Sequence, residues 1–287
     1  MREKISACVM TFNEARKIRR CLDSVRWCDE IVVLDSLSTD RTLEIARAYT
    51  DRIFQQPWLG YVGQRERIRE LARYDWLFFL DADEEVSEGL RAEILAIFAR
   101  GPAPYVGFAF PRRVYYLGRW IRFGEWYPDV KLRLFHRDYG RTEGPDPHDR
   151  VVITGGPVLR LRNPIWHYTH DGIDDHLRTM NRFSAISAQQ KIEAGDRLRW
   201  RDLLLRPPLR FFKGYVLRGG FLDGIHGLVI ALFGALGTLM KYAKLWELHL
   251  RQDRQFHDLP DRFPAPRPPR AHPRGRVPGA DPGERRG

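Results

Sequence analysis

This sequence predicts an α/β fold on a sheet that begins parallel, with helices packed across it. Three observations carry that expectation. Short apolar runs at residues 5–10, 30–34, 52–55 and 76–80 read as strands, and helical patterns separate them. Strand–helix–strand order of this kind needs crossover helices and a parallel sheet. The polar stretches 11–14, 35–40 and 81–84 all fall at strand C-terminal ends, the edge at which such sheets bind ligands.

Taken in order, Ile5 to Met10 form the first strand. Asn13-Glu14-Ala15-Arg16 is expected to open a helix through Leu22 and Val25, with Asn13 placed to cap it. Residues 30–34 form a second strand. Thr42, Ile45, Ala46 and Tyr49 mark a second helix that Thr39 or Asp40 can cap. Residues 52–55 are a short third strand, 63–72 a third helix and 76–80 a fourth strand. From Tyr105 the texture changes. Residues 106–110, 131–135 and 151–161 read as strands that complete the sheet. Between the first two lies a stretch, 115–127, rich in aromatics, Gly and Arg.

The chain has 287 residues, 43% of them hydrophobic, enough for a substantial core. Its net charge of +11 points to a partner that carries phosphates. Cys8, Cys21 and Cys28 are too few and too irregularly spaced for a disulfide framework or a metal cluster, so they read as reduced packing residues. The start, Met-Arg-Glu-Lys followed by a strand, has no leader-like apolar stretch, and the chemistry is expected to face the cytoplasm.

The densest chemical signal is Leu80-Asp81-Ala82-Asp83-Glu84-Glu85, which puts four carboxylates within five residues at the end of an apolar run. Such a cluster is costly without positive charge beside it. A hard divalent cation whose remaining ligands are phosphates is a natural partner, and this suggests a metal–diphosphate site. The competing reading is an acidic turn that opens a helix, with Glu84, Glu85 and Glu88 at its positive end.

Residues 197–251 hold ten Lys or Arg against three acids. Within them, the seventeen residues between Asp223 and Lys241 carry no charge if His226 is neutral. That is at the short limit for a membrane span and is interrupted by Gly224, Gly227, Gly234 and Gly237. Ile225, Leu228, Val229, Leu232, Leu236, Leu239 and Met240 recur at helical spacing. Basic flanks beside an apolar stripe predict amphipathic helices lying in a membrane interface. A helix packed on the main domain is the alternative. The Pro- and Arg-rich end is expected to be disordered. The organisation read from the sequence is therefore 1–100 for one half of the α/β domain, 101–190 for the other, 191–255 for the basic helical region and 256–287 for the tail.

These stretches resemble the GT-A glycosyltransferases of family 2, and within them the lipopolysaccharide-core β-1,4-glucosyltransferase type. The matching motifs are Met10-Thr11-Phe12-Asn13-Glu14-Ala15, the run from Ile31 to Asp40, Trp58-Leu59-Gly60-Tyr61, Leu80 to Glu85, Trp126-Tyr127-Pro128-Asp129 and Leu132-Arg133-Leu134-Phe135. Later ones are His167-Tyr168, Asn181-Arg182, Gly220 to Gly224 and Lys241 to Leu248. The resemblance implies a mixed GT-A sheet flanked by helices. It also implies an inverting transfer of a hexose from a nucleotide diphosphate sugar, UDP-glucose first, to a glycolipid acceptor at the cytoplasmic membrane surface. Thr11, Asn13, Glu14 and Asp35 would meet the base and ribose, and Arg65, Asp81 and Ala82 would line the donor site. Asp83 and His167 would hold Mg²⁺ or Mn²⁺. Asp149, with His148 beside it, would be the base, Asp129 or Glu125 being substitutes, and an ion pair with Arg150 is the structural alternative for Asp149. Apart from the resemblance, the part from Tyr105 onward is expected to complete the sheet and build an acceptor wall, with the Trp and Tyr of residues 120–127 stacking on sugar rings or packing the core. Glu66 departs from the Asn expected there. A polyprenyl-phosphate glycosyltransferase is the enzymatic alternative, and a non-catalytic basic protein that binds membrane or nucleic acid is the other. No nucleic-acid partner is expected, because the main cleft collects carboxylates rather than cations.

Overall fold

The computed structural model describes residues 2–144 and 149–252. His148 and the Pro- and Arg-rich tail expected to be disordered lie outside the described residues. Met1–Leu248 forms one compact unit.

The first half alternates β1 (Ile5–Thr11), α1 (Ile18–Ser24), β2 (Glu30–Asp35), α2 (Thr42–Ala46), β3 (Ile53–Gln55), α3 (Gly60–Leu71) and β4 (Trp76–Asp81). Then come β5 (Glu84–Val86), α4 (Glu88–Arg100), β6 (Gly107–Tyr116), β7 (Arg119–Trp120), a 3₁₀ turn (Gly124–Trp126) and β8 (Asp129–His136). β9 (Gly140–Glu143) and β10 (Arg150–Ile153) form a separate antiparallel ribbon, followed by β11 (Val158–Arg160) and β12 (Ile165–His167). The remainder is helical: α5 (Ile173–Glu193), α6 (Trp200–Leu204), α7 (Arg206–Phe212), a π turn (Lys213–Leu217), a 3₁₀ turn (Gly220–Asp223) and α8 (Ile225–Gln252).

The main sheet runs β3-β2-β1-β4-β8-β6-β12-β5, with β7 and β11 also paired to β6. β3, β2, β1 and β4 are mutually parallel, and β8 is antiparallel to both β4 and β6. The expected α/β class therefore holds, as a mixed sheet. Every residue of β1 and β2 is buried. That follows from helices covering both faces, and it explains why these strands read as unbroken apolar runs. On one face Ile5, Ala7 and Val9 pack with Leu22 of α1 and with Leu90, Ile94 and Phe98 of α4. On the other, Cys8, Met10, Val32 and Phe79 pack with Ile68 of α3.

Two expectations change here. The first helix begins at Ile18 rather than beside Asn13, and Asn13 does not cap it. Asn13 adopts a left-handed conformation (φ 54°), and its side-chain oxygen instead accepts the Thr39 N–H at 2.8 Å. Nor do Glu84 and Glu85 open a helix. They form β5, and α4 starts after it with Ser87 as its cap, accepting the Leu90 N–H at 3.2 Å.

α8 is the one helix among the described residues long and apolar enough to cross a membrane by length and composition. One of its faces is already used. Gly227, Ile230, Ala231, Thr238, Tyr242 and Leu245 fall on one helical stripe and are buried. Ile230 packs with Val114, Tyr116 and Ile121, while Tyr242 and Leu245 pack with Ala188 of α5. The glycines in this helix permit close approach. A Cβ on Gly227 would meet the Gly220 carbonyl oxygen at 1.8 Å, and one on Gly234 would meet Glu125 Oε2 at 2.6 Å.

Candidate active site

The C-terminal ends of β1, β2 and β4 bring the three polar loops together, as the sequence predicts. The β1 and β2 loops are tied to each other. Asn13 N–H donates to Ser38 Oγ at 2.8 Å, Glu14 N–H to Thr42 Oγ1 at 2.8 Å and Ala15 N–H to Asp40 at 3.1 Å. Leu37 holds φ 65°, uncommon for a residue with a Cβ, inside this loop. Asp35 is fully buried, and its carboxylate accepts from the backbone and hydroxyl of Ser38 and from Gln55. Its visible work is to shape the loop. Gln64, buried on α3, adds a tie by donating to Ser36 Oγ at 2.6 Å.

Thr11 is buried, and its hydroxyl has no partner among the described residues. Burial pushes the Glu14 carboxyl up to about 7. Lys17, 3.8 Å away, opposes this, while Asp83, Asp171 and Asp175 reinforce it. Lys17 also pairs with Asp171 at 3.2 Å, so one lysine sits among several acids at this edge.

The acidic cluster after β4 does not depend on a cation for all of its neutralisation. Arg65 of α3, Arg112 of β6 and Arg133 of β8 converge on it. Asp81 accepts from Arg65 at 3.2 Å and from Arg133 at 2.9 Å. Burial alone would raise its pKa, but the Arg133 and Arg65 guanidiniums outweigh that and hold Asp81 well below the usual carboxylate range. Glu84 is buried, accepts the Asp81 N–H at 3.1 Å and pairs with Arg112 at 3.1 Å. Glu85 accepts from the Tyr168 hydroxyl at 2.9 Å, with Arg20 stacked over that ring. Ala82 is buried, its N–H donating to the Met10 carbonyl at 3.1 Å, which fixes the bend between the two acids.

Asp83 differs from its neighbours. Among the described residues its one hydrogen-bonding side-chain partner is His167, with Nε2 3.2 Å from Oδ2. Burial would raise Asp83, and His167 beside it tips the balance to a lowered value. No group of three or more His, Cys, Asp or Glu able to hold a metal gathers among the described residues. A small hard cation commonly takes one or two carboxylates and completes its shell with substrate phosphates and water. Asp83 suits that role, with His167 next to it. The far ring nitrogen of His167, Nδ1, is buried without a partner among the described residues, unlike the anchored rings of most ligating histidines.

Asp149 lies against Arg65, its Oδ2 2.5 Å from Nε, rather than pairing with Arg150. It therefore belongs to the same cage as Asp81. Arg65 is 3% exposed and keeps Nη1 without a partner among the described residues. The substitute bases are both engaged. Asp129 binds Arg112 at 2.8 Å and Lys131 at 3.1 Å, and Glu125 is held by Arg210 at 3.1 Å. Glu66 anchors the β9–β10 ribbon by accepting the Thr142 N–H at 3.0 Å, which accounts for an acid at that position.

Sequence reasoning missed Arg112, Arg133 and Lys17. Arg133 left one trace, a charge set between the apolar Leu132 and Leu134. A charge in such a position has to find a partner.

The chain is 30% identical over 255 residues to the lipopolysaccharide core biosynthesis glycosyltransferase LpsC of Rhizobium meliloti, covering 85% of this chain and 93% of LpsC. It is 31% identical over 269 residues to an uncharacterized glycosyltransferase of Rickettsia felis, covering 87% and 92%. Among solved structures, S. aureus TarS 1-349 in complex with UDP-GlcNAc aligns with a TM-score of 0.45 at 16% identity, covering 87% of this chain and 92% of that one. The family described as Glycosyl transferase family 2 matches residues 6–168, and the chain belongs to that family.

Proposed function

We propose that this chain is an inverting hexosyltransferase. It takes its sugar from a nucleotide diphosphate donor, UDP-glucose first, and passes it to a lipopolysaccharide-core glycolipid at the cytoplasmic membrane face. The observation that carries the donor half is the division of labour in Asp81-Ala82-Asp83. Asp81 is bound by two guanidiniums, and Asp83 is left to a single histidine. The acceptor half is supported by the likeness to LpsC, whose name assigns it to lipopolysaccharide core biosynthesis.

In this reading the loops after β1 and β2 seat the nucleoside, with the Thr11 hydroxyl and Glu14 turned to base and ribose. Asn13 and Asp35 hold those loops in shape. Asp83, with His167 beside it, would hold Mg²⁺ or Mn²⁺. When bound, such a cation supplies positive charge against the charge that develops on the departing diphosphate. Arg65 offers Nη1, which has no partner among the described residues, to the same phosphates and, through Nε, orients Asp149. Asp149 removes the proton from the acceptor hydroxyl as that oxygen bonds to the anomeric carbon. The bond from that carbon to the diphosphate oxygen breaks, and the nucleoside diphosphate leaves with the electron pair. His148, adjacent in sequence, would orient the acceptor.

The test is nucleoside diphosphate release from a panel of nucleotide sugars by purified protein, with Mg²⁺ or Mn²⁺ and with EDTA as control. A lipopolysaccharide-core extract or a polyprenyl phosphate serves as acceptor. Metal-dependent turnover of one donor that needs the core extract is the expected result. Turnover with polyprenyl phosphate alone would overturn the acceptor assignment, and no release from any donor would overturn the transferase reading.

A further inference from the structure

The segment from α6 to the start of α8 is amphipathic in the inverted sense. Pro207, Arg210 and Gly214 follow one helical stripe and face the protein. Pro207 and Gly214 are buried, and Arg210 is locked to Glu125. Leu205, Leu209, Phe212 and Val216, at spacings of four, three and four, form the opposite stripe and are all exposed, Leu209 by 62%. A helix in a soluble domain ordinarily buries its apolar stripe. The apolar surface continues through Leu217 (68% exposed), Phe221, Leu222 and Ile225, and Trp200 of α6 lies beside Trp246 of α8 with ring centroids 6.3 Å apart. A contiguous patch of this extent marks an interaction surface.

Charge selects the partner. Arg197, Arg199, Arg201, Arg206, Lys213 and Arg218 are all exposed along the same segment. The acid among them, Asp202, is paired with Arg206 at 2.5 Å. Asp223, at the end, is buried beneath the ridge, accepting the N–H groups of Arg122 and Phe123. Leucines and aromatics ringed by long, exposed cationic side chains suit an interface with an apolar interior and anionic headgroups, where Arg and Lys stems lie along the lipid and their heads reach phosphate.

We infer that this ridge, residues 200–222 with Ile225, docks into the headgroup layer of an anionic lipid bilayer. It deepens the membrane-face part of the proposed function and rests on that reading. α8 then lies beside the bilayer rather than across it, since its buried face is committed to the sheet domain. The Glu125–Arg210 ion pair and Asp223 fasten the ridge to residues 119–126.

The test is co-sedimentation of the full chain with phosphatidylcholine vesicles, with and without phosphatidylglycerol. Thermal melts, molecular mass in solution and UDP binding are measured in parallel. Wild type is expected to sediment with the anionic vesicles, less with neutral ones, and less as salt rises. Leu209→Glu with Phe212→Glu should weaken partitioning at least about 100-fold, and Lys213→Gln with Arg218→Gln about 30-fold, both with unchanged melts. Vesicle binding that survives the Glu pair but is lost in Leu232→Glu with Leu236→Glu would move the surface to α8 and overturn the inference. A wild-type dimer that the Glu pair converts to monomer, without vesicle binding, would also overturn it in favour of a protein interface. UDP binding without vesicle binding refutes the ridge alone, and vesicle binding without UDP binding refutes the donor chemistry alone.

Discussion

Asp81→Asn and Asp83→Asn change the same atoms two residues apart, yet the structure predicts unequal losses of stability. Asp81 neutralises Arg65 and Arg133, which are 3% and 7% exposed. At about 3 Å and an effective dielectric near 20, each contact is worth about 5 kcal/mol before desolvation is subtracted. Breaking a buried pair costs about 3–5 kcal/mol once the stranded charge is counted. Arg65 keeps Asp149, and Arg133 retains Glu84 at 3.7 Å, so the expected loss for Asp81→Asn is about 2–3 kcal/mol. Asp83 has one histidine partner, and Asp83→Asn should cost under about 1 kcal/mol. Urea denaturation with equal m-values measures both. The acid side adds a sign. Because Asp81 is depressed in the folded state, its stabilisation is present above its ordinary value of 3.8 and fades as pH falls below it. Asp81→Asn should flatten that slope. Equal losses for the two substitutions, or a larger one for Asp83→Asn, would refute the division of labour.

Three further outcomes follow from the same contacts. Arg65→Met should destabilise by about 3–5 kcal/mol, and adding Asp149→Asn should recover at least about 1 kcal/mol, because it removes a stranded carboxylate; strict additivity in the double-mutant cycle would contradict the cage. His176, hydrogen-bonded to the Tyr116 hydroxyl at 2.8 Å, is pushed down from 6.5 to about 4, by burial first and by His170 second. The unfolded chain takes up that proton first, so stability should fall by about 1–2 kcal/mol as pH drops through this window, after allowance for solvent screening; His176→Phe should remove the slope in melts run against pH. Asp223→Ala strands the N–H groups of Arg122 and Phe123 and should cost about 2–3 kcal/mol, whereas a cost below about 0.5 kcal/mol would show that Asp223 does not fasten the ridge.

The first half of the fold was legible because β1, β2 and β4 are buried on both faces and so appear as continuous apolar runs. The polar loops at their ends were legible because parallel topology forces them onto one edge. The arginine cage was not, since Arg65, Arg112 and Arg133 come from three elements that only tertiary folding unites. The same cause made the four-carboxylate cluster seem to need a cation throughout, when among the described residues Asp83 alone of the four is left without a guanidinium. The first helix was placed too early because Asn13 has a capping residue's chemistry but spends it on Thr39 across the loop. β5 was missed because Glu84-Glu85-Val86 has strand pairing with β12 but no apolar alternation to announce it. Two of the glycines that seemed to weaken α8 as a span, Gly227 and Gly234, are where Gly220 and Glu125 press against it.

The central claim is that Asp83 serves a cation bound together with a nucleoside diphosphate, and calorimetric titration of UDP tests it most directly. Wild type should bind UDP with Mn²⁺ or Mg²⁺ and lose at least about tenfold in affinity when EDTA removes the metal. Asp83→Asn should bind weakly and indifferently to metal while melting as wild type does. UDP binding of equal strength with and without metal, unchanged in Asp83→Asn, would contradict the account.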